Sequence, residues 1–245
     1  MDQSLQLSVL VPVYNEAGNI LPLLAEVEAA LAGVCAFEIV FVDDGSSDAT
    51  PAELDEALKN PKVRVLRHKA RAGKSAALVT GFWAARAPWI QTLDGDRQND
   101  PADVARVWKM LNAPAPDSAL GIVCGVRKRR NDGIIKFLSS RIANFVRRNL
   151  LRDNTRDTGC GFKLIRRDIA LKLPFFDGMH RFLPALVRRA GYRTMEVPIE
   201  DRARAAGVSK YGFFGRLGAG IFDLFGVFWL IRRGTRAEGR EIPRP

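Results

Sequence analysis

Asp94-Gly95-Asp96-Arg97-Gln98 follows directly on the apolar run Trp89-Ile90-Gln91-Thr92-Leu93, so two carboxylates and an amide stand where a strand ends. Alternation along an extended segment sends residues of equal parity to one side, which aims Asp94, Asp96 and Gln98 together. Three hard oxygens on one side suit a divalent cation that phosphate oxygens also hold. Asp and Gly equally favour plain turns, so the loop by itself admits both readings. Two more polar clusters share its setting. Tyr14-Asn15-Glu16 stops the apolar run 7–13, and Asp43-Asp44-Gly45-Ser46-Ser47-Asp48 stops the run 38–42.

The elements that position these clusters can be read from periodicity. Residues 7–13, 38–42, 63–66 and 89–93 are short runs rich in branched residues, as buried strands are. Between the first two, Ile20, Leu23, Leu24, Val27 and Leu31 fall on one helical stripe, and helices are expected near 51–58 and 74–87. Strand alternating with helix predicts a mainly parallel sheet with helices on both faces. Ligands of such sheets sit beyond the carboxyl ends of the strands, where all three polar clusters lie. A helix over 102–111, a strand over 120–126, a short strand within 157–164, helical stretches near 169 and 182–190, and a strand over 194–199 complete the pattern.

Two phosphate-binding signatures are excluded. The loop after the first strand, PVYNEAGN, lacks the glycine-rich dinucleotide fingerprint. Gly73-Lys74-Ser75 matches the end of a Walker A loop, but the glycine required five residues earlier is His68.

The 245 residues suffice for one large domain, or one with a lobe attached. Lys+Arg 38 against Asp+Glu 27 gives a net charge of +11, which expects an anionic partner: phosphorylated small molecules, nucleic acid or an acidic membrane face. Cys35, Cys124 and Cys160 show no paired spacing, so free thiols in a reducing compartment are expected. The acidic Met1-Asp2-Gln3-Ser4 start predicts no secretory signal and a cytoplasmic location.

Composition shifts at Arg127-Lys128-Arg129-Arg130. Ile134, Phe137, Leu138, Ile142, Phe145, Val146 and Leu150 then recur at helical spacing, with Lys136, Arg141, Arg147, Arg148 and Arg152 interleaved. Such a helix suits an anionic membrane surface, and a core helix with a solvated basic face would read the same. The polar loop 201–211 has a composition suited to closing over phosphates, or to an ordinary solvated connection. The apolar stretch 217–231 is shorter than the roughly 20 residues of a spanning helix and contains Asp223, so an interfacial or buried helix is predicted. Residues 235–245 are polar, basic and expected to be disordered. The expected division is an α/β half over 1–126, a second half with the basic amphipathic segment and the polar loop over 127–212, an apolar interfacial helix over 213–234 and the basic stretch 235–245.

VPVYNE (11–16), DDGSSD (43–48), GKSAAL (73–78), DGDRQNDP (94–101), TGCGFKL (158–164) and RAAGVSKYG (204–212) together resemble glycosyltransferase family 2, and within it the polyprenyl-phosphate sugar transferases. The resemblance implies a GT-A type α/β fold with C-terminal amphipathic helices, a GDP- or UDP-sugar donor, and Mg²⁺ or Mn²⁺. It implies a nucleotide-sugar pocket of Pro12, Tyr14, Glu16, Asp44, Lys74 and Asp94. The metal ligands would be Asp96 and Gln98 with Asp94 beside them, Asp96 being catalytic through a cation that neutralises the leaving pyrophosphate.

The implied acceptor is a polyprenyl phosphate. A phosphate is ionised near neutral pH and can attack without a strong base, whereas a sugar hydroxyl needs one. Its charge calls for cations, supplied by Arg127, Arg141, Arg204 and Lys210 together with Ser209. Lys210 acts at the reacting groups, and Asp157 is the candidate base or orienting group. A transferase of the same family acting on a soluble saccharide or small-molecule hydroxyl is the alternative. Nucleic acid is set aside, because aromatic residues are not set among the arginines of 127–152 as stacking platforms would be. The resemblance also implies an inverting, peripheral or monotopic enzyme on the cytoplasmic membrane face, reliant on a separate membrane protein where an anchor is needed. Arg97, Arg71, Asp201 and Ala203 depart from the family pattern.

Overall fold

The computed structural model describes residues 4–111, 117–128, 147, 150, 151, 153, 155–202 and 213–233. β1 (Leu7–Val13), β2 (Phe37–Asp43), β3 (Val63–Arg67) and β4 (Trp89–Thr92) alternate with α1 (Ile20–Leu31), α2 (Thr50–Ala57) and α3 (Lys74–Ala84). α4 (Pro101–Leu111) then leads to β5 (Leu120–Arg127), β6 (Lys163–Arg166) and α5 (Arg167–Ala170). A one-turn 3-10 helix (Met179–Arg181), α6 (Leu183–Arg189), β7 (Arg193–Ile199) and α7 (Phe213–Arg232) follow.

Among the described residues, seven strands join one sheet in the order β3-β2-β1-β4-β6-β5-β7. β1 runs parallel to β2 and β4, β2 to β3, and β5 to β7. β6 is antiparallel to both of its neighbours, β4 and β5. The expected α/β sheet is therefore mainly parallel, with one reversed strand that the alternation of helices and strands does not reveal.

Side-chain parity along β1 explains the two-layer core. Leu7, Val9, Val11 and Val13 face α1 and α4 with Ile39, Phe41, Val104 and Val107, while Leu10 faces α3 with Val40, Val42, Leu78 and Phe82. Each such side chain contributes about 1.5–3 kcal/mol on full burial, so a slip of one residue in β1 would place these side chains on the wrong faces. α1 buries the predicted stripe, Ile20, Leu23, Leu24, Val27 and Leu31.

α7 exceeds the predicted 217–231 stretch. Val227 is buried in the second core layer, and Leu224, Phe228 and Ile231 pack against that layer. Arg181 Nη2 reaches Asp223 at 3.3 Å, and Arg189 Nε donates to the Leu230 carbonyl at 2.8 Å. Among the described residues no helix is long and apolar enough to cross a membrane. All three cysteines are free, as expected. The basic amphipathic segment around Arg141, the loop residues Arg204, Ser209 and Lys210, and the stretch 235–245 lie outside the described residues.

Candidate functional site

The carboxyl ends of β1, β2 and β4 lie side by side, because Val13 pairs with Asp43 and Leu10 with Thr92. Asp44, just beyond β2, is buried and organises the next loop. Its carboxylate accepts the backbone N–H groups of Ala72 and Gly73, each at 2.8 Å, and lies 2.8 Å from His68 Nδ1. Gly73 has φ of 93°, which a residue with Cβ adopts only at a cost. The loop so held delivers Lys74 at the start of α3.

Lys74 Nζ donates to Asp94 Oδ1. Burial works against both charges, and each is held ionised by the other: Asp94 lies below the usual carboxylate range and Lys74 above the usual amine range. Asp96 also acts electrostatically on Lys74, so both acidic residues share one site. Around this pair Pro12, Thr92, Gly161, Lys163 and His180 line one pocket.

Gly161 makes room for the carboxylate: a Cβ there would stand 2.4 Å from Asp94 Cγ and both its oxygens. Thr92 Oγ1 donates to the Gly161 carbonyl at 2.5 Å. Gly95 serves a similar purpose, since a Cβ on it would lie 2.8 Å from Val13 Cγ1 and 3.5 Å from Glu16 Cγ. Glu16 thus stands against the acidic turn, while its Oε2 accepts Asn19 Nδ2 at 3.0 Å.

The acidic stretch is not extended. A turn at Gly95–Asp96 and a left-handed Arg97, φ 60°, replace the expected alternation. Asp96 closes the turn instead, its Oδ1 accepting the backbone N–H of Gln98 at 3.3 Å. Arg97 does not point at the carboxylates beside it but pairs with Glu26 on α1.

The donor set fits part of the shell of a hard divalent cation. Asp94, Asp96 and the Gln98 side-chain amide offer carboxylate and carbonyl oxygens, while among the described residues no group of three or more His, Cys, Asp or Glu is placed to hold a metal ion by itself. A cation here would take its remaining ligands from phosphate oxygens or water.

Tyr14 follows β1, and the Arg71 guanidinium lies 4.4 Å from its ring centroid, a cation–π arrangement. Near Gly159, which also lines the pocket, Arg127 grips Asp157 with two bonds, Nε to Oδ2 at 2.7 Å and Nη2 to Oδ1 at 3.0 Å. These bonds hold Arg127 more firmly charged than an isolated guanidinium. Both oxygens of Asp157 are engaged by Arg127, which favours an orienting role over that of a free base.

Lys163 and His180 carry no role in the sequence reading. Lys163, on β6, is buried and donates to the Thr158 carbonyl at 3.3 Å and to the Cys160 carbonyl, and burial pushes its amine down. Its signal was a lysine between Phe162 and Leu164 in an apolar strand. His180 Nδ1 lies 2.8 Å from Ser75 Oγ, which accepts the Gly178 N–H at 3.0 Å. Burial, followed by Lys74, Lys163 and Arg181, pushes its imidazole well below the usual range. No local pattern marks it.

The glycosyl transferase family 2 model matches residues 8–173. Dodecaprenyl-phosphate galacturonate synthase of Rhizobium johnstonii is 34% identical over 240 residues, covering 96% of this chain and 70% of the relative. Undecaprenyl-phosphate 4-deoxy-4-formamido-L-arabinose transferase of Edwardsiella ictaluri is 31% identical over 208 residues, covering 84% of this chain and 62% of the relative. The chain thus spans roughly two thirds of the length of these relatives. Among solved structures, a mannosyltransferase from Pyrobaculum calidifontis in complex with GDP-Man and Mn²⁺ superposes with a TM-score of 0.67 at 22% identity, covering 95% of this chain and 66% of that one. Glucosyl-3-phosphoglycerate synthase from Mycobacterium tuberculosis, in complex with Mn²⁺, UDP and glucosyl-3-phosphoglycerate, gives 0.67 at 19% identity, covering 96% and 82%. At these identities the two structures speak for the GT-A type fold.

Proposed function

This chain belongs to glycosyl transferase family 2, and we propose that it moves a sugar from a nucleotide-diphosphate donor to a polyprenyl phosphate at a membrane surface. The observation that carries the reading is the grouping of Asp94 and Asp96 with Lys74 at the carboxyl ends of parallel strands, beside the Arg127–Asp157 pair. The relatives named dodecaprenyl- and undecaprenyl-phosphate transferases support the lipid acceptor.

In this reading Pro12, Tyr14, Glu16, Asp44 and Lys74 frame the nucleoside and its phosphates, with Arg71 stacked on Tyr14 as a further donor beside the base. Asp94, Asp96 and Gln98 would hold Mg²⁺ or Mn²⁺, which would neutralise charge on the departing pyrophosphate. A phosphate oxygen of the lipid attacks the anomeric carbon as the bond to the pyrophosphate oxygen breaks, releasing the nucleoside diphosphate and inverting the carbon. No proton has to be removed from an ionised phosphate, so Asp157 orients Arg127, and Arg127 faces the acceptor's charge. Arg141, Arg204, Ser209 and Lys210 are assigned to the acceptor phosphate from the family pattern alone.

α7 supplies the membrane contact. Ile221, Phe222, Phe225 and Trp229 are 50%, 83%, 61% and 59% exposed on its outer side, and Arg232 and Arg233 follow at its end. An apolar face beside arginines suits the headgroup boundary of an anionic bilayer, and in this reading that bilayer surface is the cytoplasmic one.

The purified chain should be incubated with labelled GDP- and UDP-sugars, undecaprenyl phosphate and Mg²⁺ or Mn²⁺. A lipid-extractable product that disappears with EDTA and with Asp96→Asn is expected. Transfer only to soluble saccharides, or none from any donor, would overturn the reading.

A further inference from the structure

Arg97 sits in the middle of the acidic turn with φ of 60°, a region that side chains other than Asn and Asp seldom adopt. Its neighbours Asp96 and Gln98 are the proposed metal ligands. Its guanidinium turns to α1, where Nε at 3.2 Å and Nη2 both donate to Glu26 Oε1. The other oxygen of Glu26, Oε2, accepts Arg202 Nη1 at 2.8 Å. Arg202 returns to the same turn twice, through Nη2 to Asp100 Oδ2 at 2.7 Å and through its amide to the Gln98 carbonyl at 2.9 Å. Asn99 and Asp201 form an isolated antiparallel bridge beside it.

One carboxylate on α1 therefore gathers the acidic turn and the chain leaving β7. α1 is anchored by five buried apolar side chains, so Glu26 is a fixed point, while the turn contains a residue whose backbone favours relaxing. We propose that Glu26 is a positioning residue: by holding Arg97 left-handed and Arg202 across Gln98–Asp100, it sets the turn that presents Asp96 and Gln98 to a divalent cation. The inference rests on the metal role given to Asp96 and Gln98 above. A single half-exposed ion pair is weak, but two arginines sharing one carboxylate act as a network. Ligand placement is where a small displacement has its largest effect.

The test uses the full chain with Glu26→Gln, Arg97→Gly, Arg202→Gln and the Glu26→Gln/Arg202→Gln double variant. Arg97→Gly keeps the left-handed backbone without steric cost while deleting the ion pair, so it separates the two contributions of Arg97. Hydrogen exchange is followed at the amides of 97–100 and 202, and Mn²⁺ affinity is measured by electron paramagnetic resonance, with Mn²⁺ alone and with UDP or GDP. Glu26→Gln and Arg97→Gly should each speed exchange at these amides and weaken Mn²⁺ binding by about threefold to tenfold, with the amides of Val9 and Val11 unchanged. The double variant should lose less than the sum of Glu26→Gln and Arg202→Gln, because both single variants already remove the Glu26–Arg202 bond. Exchange and Mn²⁺ affinity unchanged in Glu26→Gln, wild-type behaviour of Arg97→Gly, full additivity in the double variant, or no Mn²⁺ binding by the unaltered chain would each overturn the proposal. A failure of the transferase reading appears separately, as absence of sugar transfer by the unaltered chain, and does not alter the exchange result.

Discussion

Replacing Gly161 by alanine tests whether the Asp94 carboxylate is held in a working position. The new Cβ would stand 2.4 Å from all three carboxyl atoms, and ordinary contact begins near 3.4 Å. The carboxylate must therefore move by about 1 Å, the difference between those distances, and it has little room to do so with Lys74 on Oδ1. A displacement of that size at a positioning group costs on the order of 100-fold in rate, equivalent to about 2.7 kcal/mol of transition-state stabilisation. The stability cost is separate. Lys74 and Asp94 side chains are 35% and 30% exposed, so loss of their pair accounts for ~1 kcal/mol at most, and overpacking adds about 1–3 kcal/mol. At roughly 2–4 °C per kcal/mol for a chain of this size, Gly161→Ala should stay folded at 25 °C. Gly159→Ala is the control, since its Cβ would meet Arg127 Nη2 at 3.7 Å and Asp157 Oδ1 at 3.8 Å, both ordinary contacts. The assay is transfer of labelled sugar to undecaprenyl phosphate, with melting curves on the same preparations. A Gly161→Ala enzyme within about threefold of wild type in kcat/KM, or a Gly159→Ala enzyme equally impaired, would refute the reasoning.

Three further outcomes are expected. The His180 imidazole is pushed below its usual range by burial and by Lys74, Lys163 and Arg181, so below about pH 6.5 the unfolded chain binds a proton that the folded chain refuses. Stability should then fall as pH drops from about 7 to 5, by up to ~1.4 kcal/mol per pH unit for this group, and urea titrations should show the slope reduced in His180→Asn. The depressed Asp94 acts in a different window, because its contribution is complete above about pH 3.9 and is lost only as pH falls through its lower folded value. Asp157→Ala leaves Arg127 without its two-bond partner in a mostly buried place and should cost about 2–4 kcal/mol by denaturant unfolding, whereas Asp157→Asn keeps one acceptor and should retain most transfer activity if Asp157 orients rather than deprotonates. Gly45→Ala combines φ of 75° with a Cβ 2.9 Å from the backbone of Ala70 and Arg71, so calorimetry should show destabilisation of roughly 2–3 kcal/mol.

What could be read from the sequence and what could not divide by the range of the interactions. Asp44, Asp94 and Asp96 were legible because a polar cluster ending an apolar run is a local signal, and the strand–helix alternation places such ends along one edge of a parallel sheet. Parity along β1 is equally local, and the two core layers follow from it. β6 breaks the rule of alternation: its Lys163 pairs with Thr92 across an antiparallel ladder, and nothing in residues 158–164 states which strand they will join. His180 meets Ser75 from 105 residues away, and Glu26 meets Arg202 from 176, distances at which spacing carries no information.

Arg97 shows the consequence most clearly. Alternation in an extended chain would turn it to the side opposite Asp94, Asp96 and Gln98, and nothing local states what it meets there. A left-handed backbone removes that premise, and the guanidinium is spent on a carboxylate of α1. The positive charge that does face Asp94 comes from Lys74, placed there by the Asp44-held loop, with Lys163 and His180 behind it. Burial pushes both the Lys163 amine and the His180 imidazole down, whereas Lys74 is held above the usual amine range by Asp94. Among the described residues, the two carboxylates and Lys74 set the charge balance that a divalent ion and a pyrophosphate would meet. That balance is a property of the assembled strand ends and of no single motif.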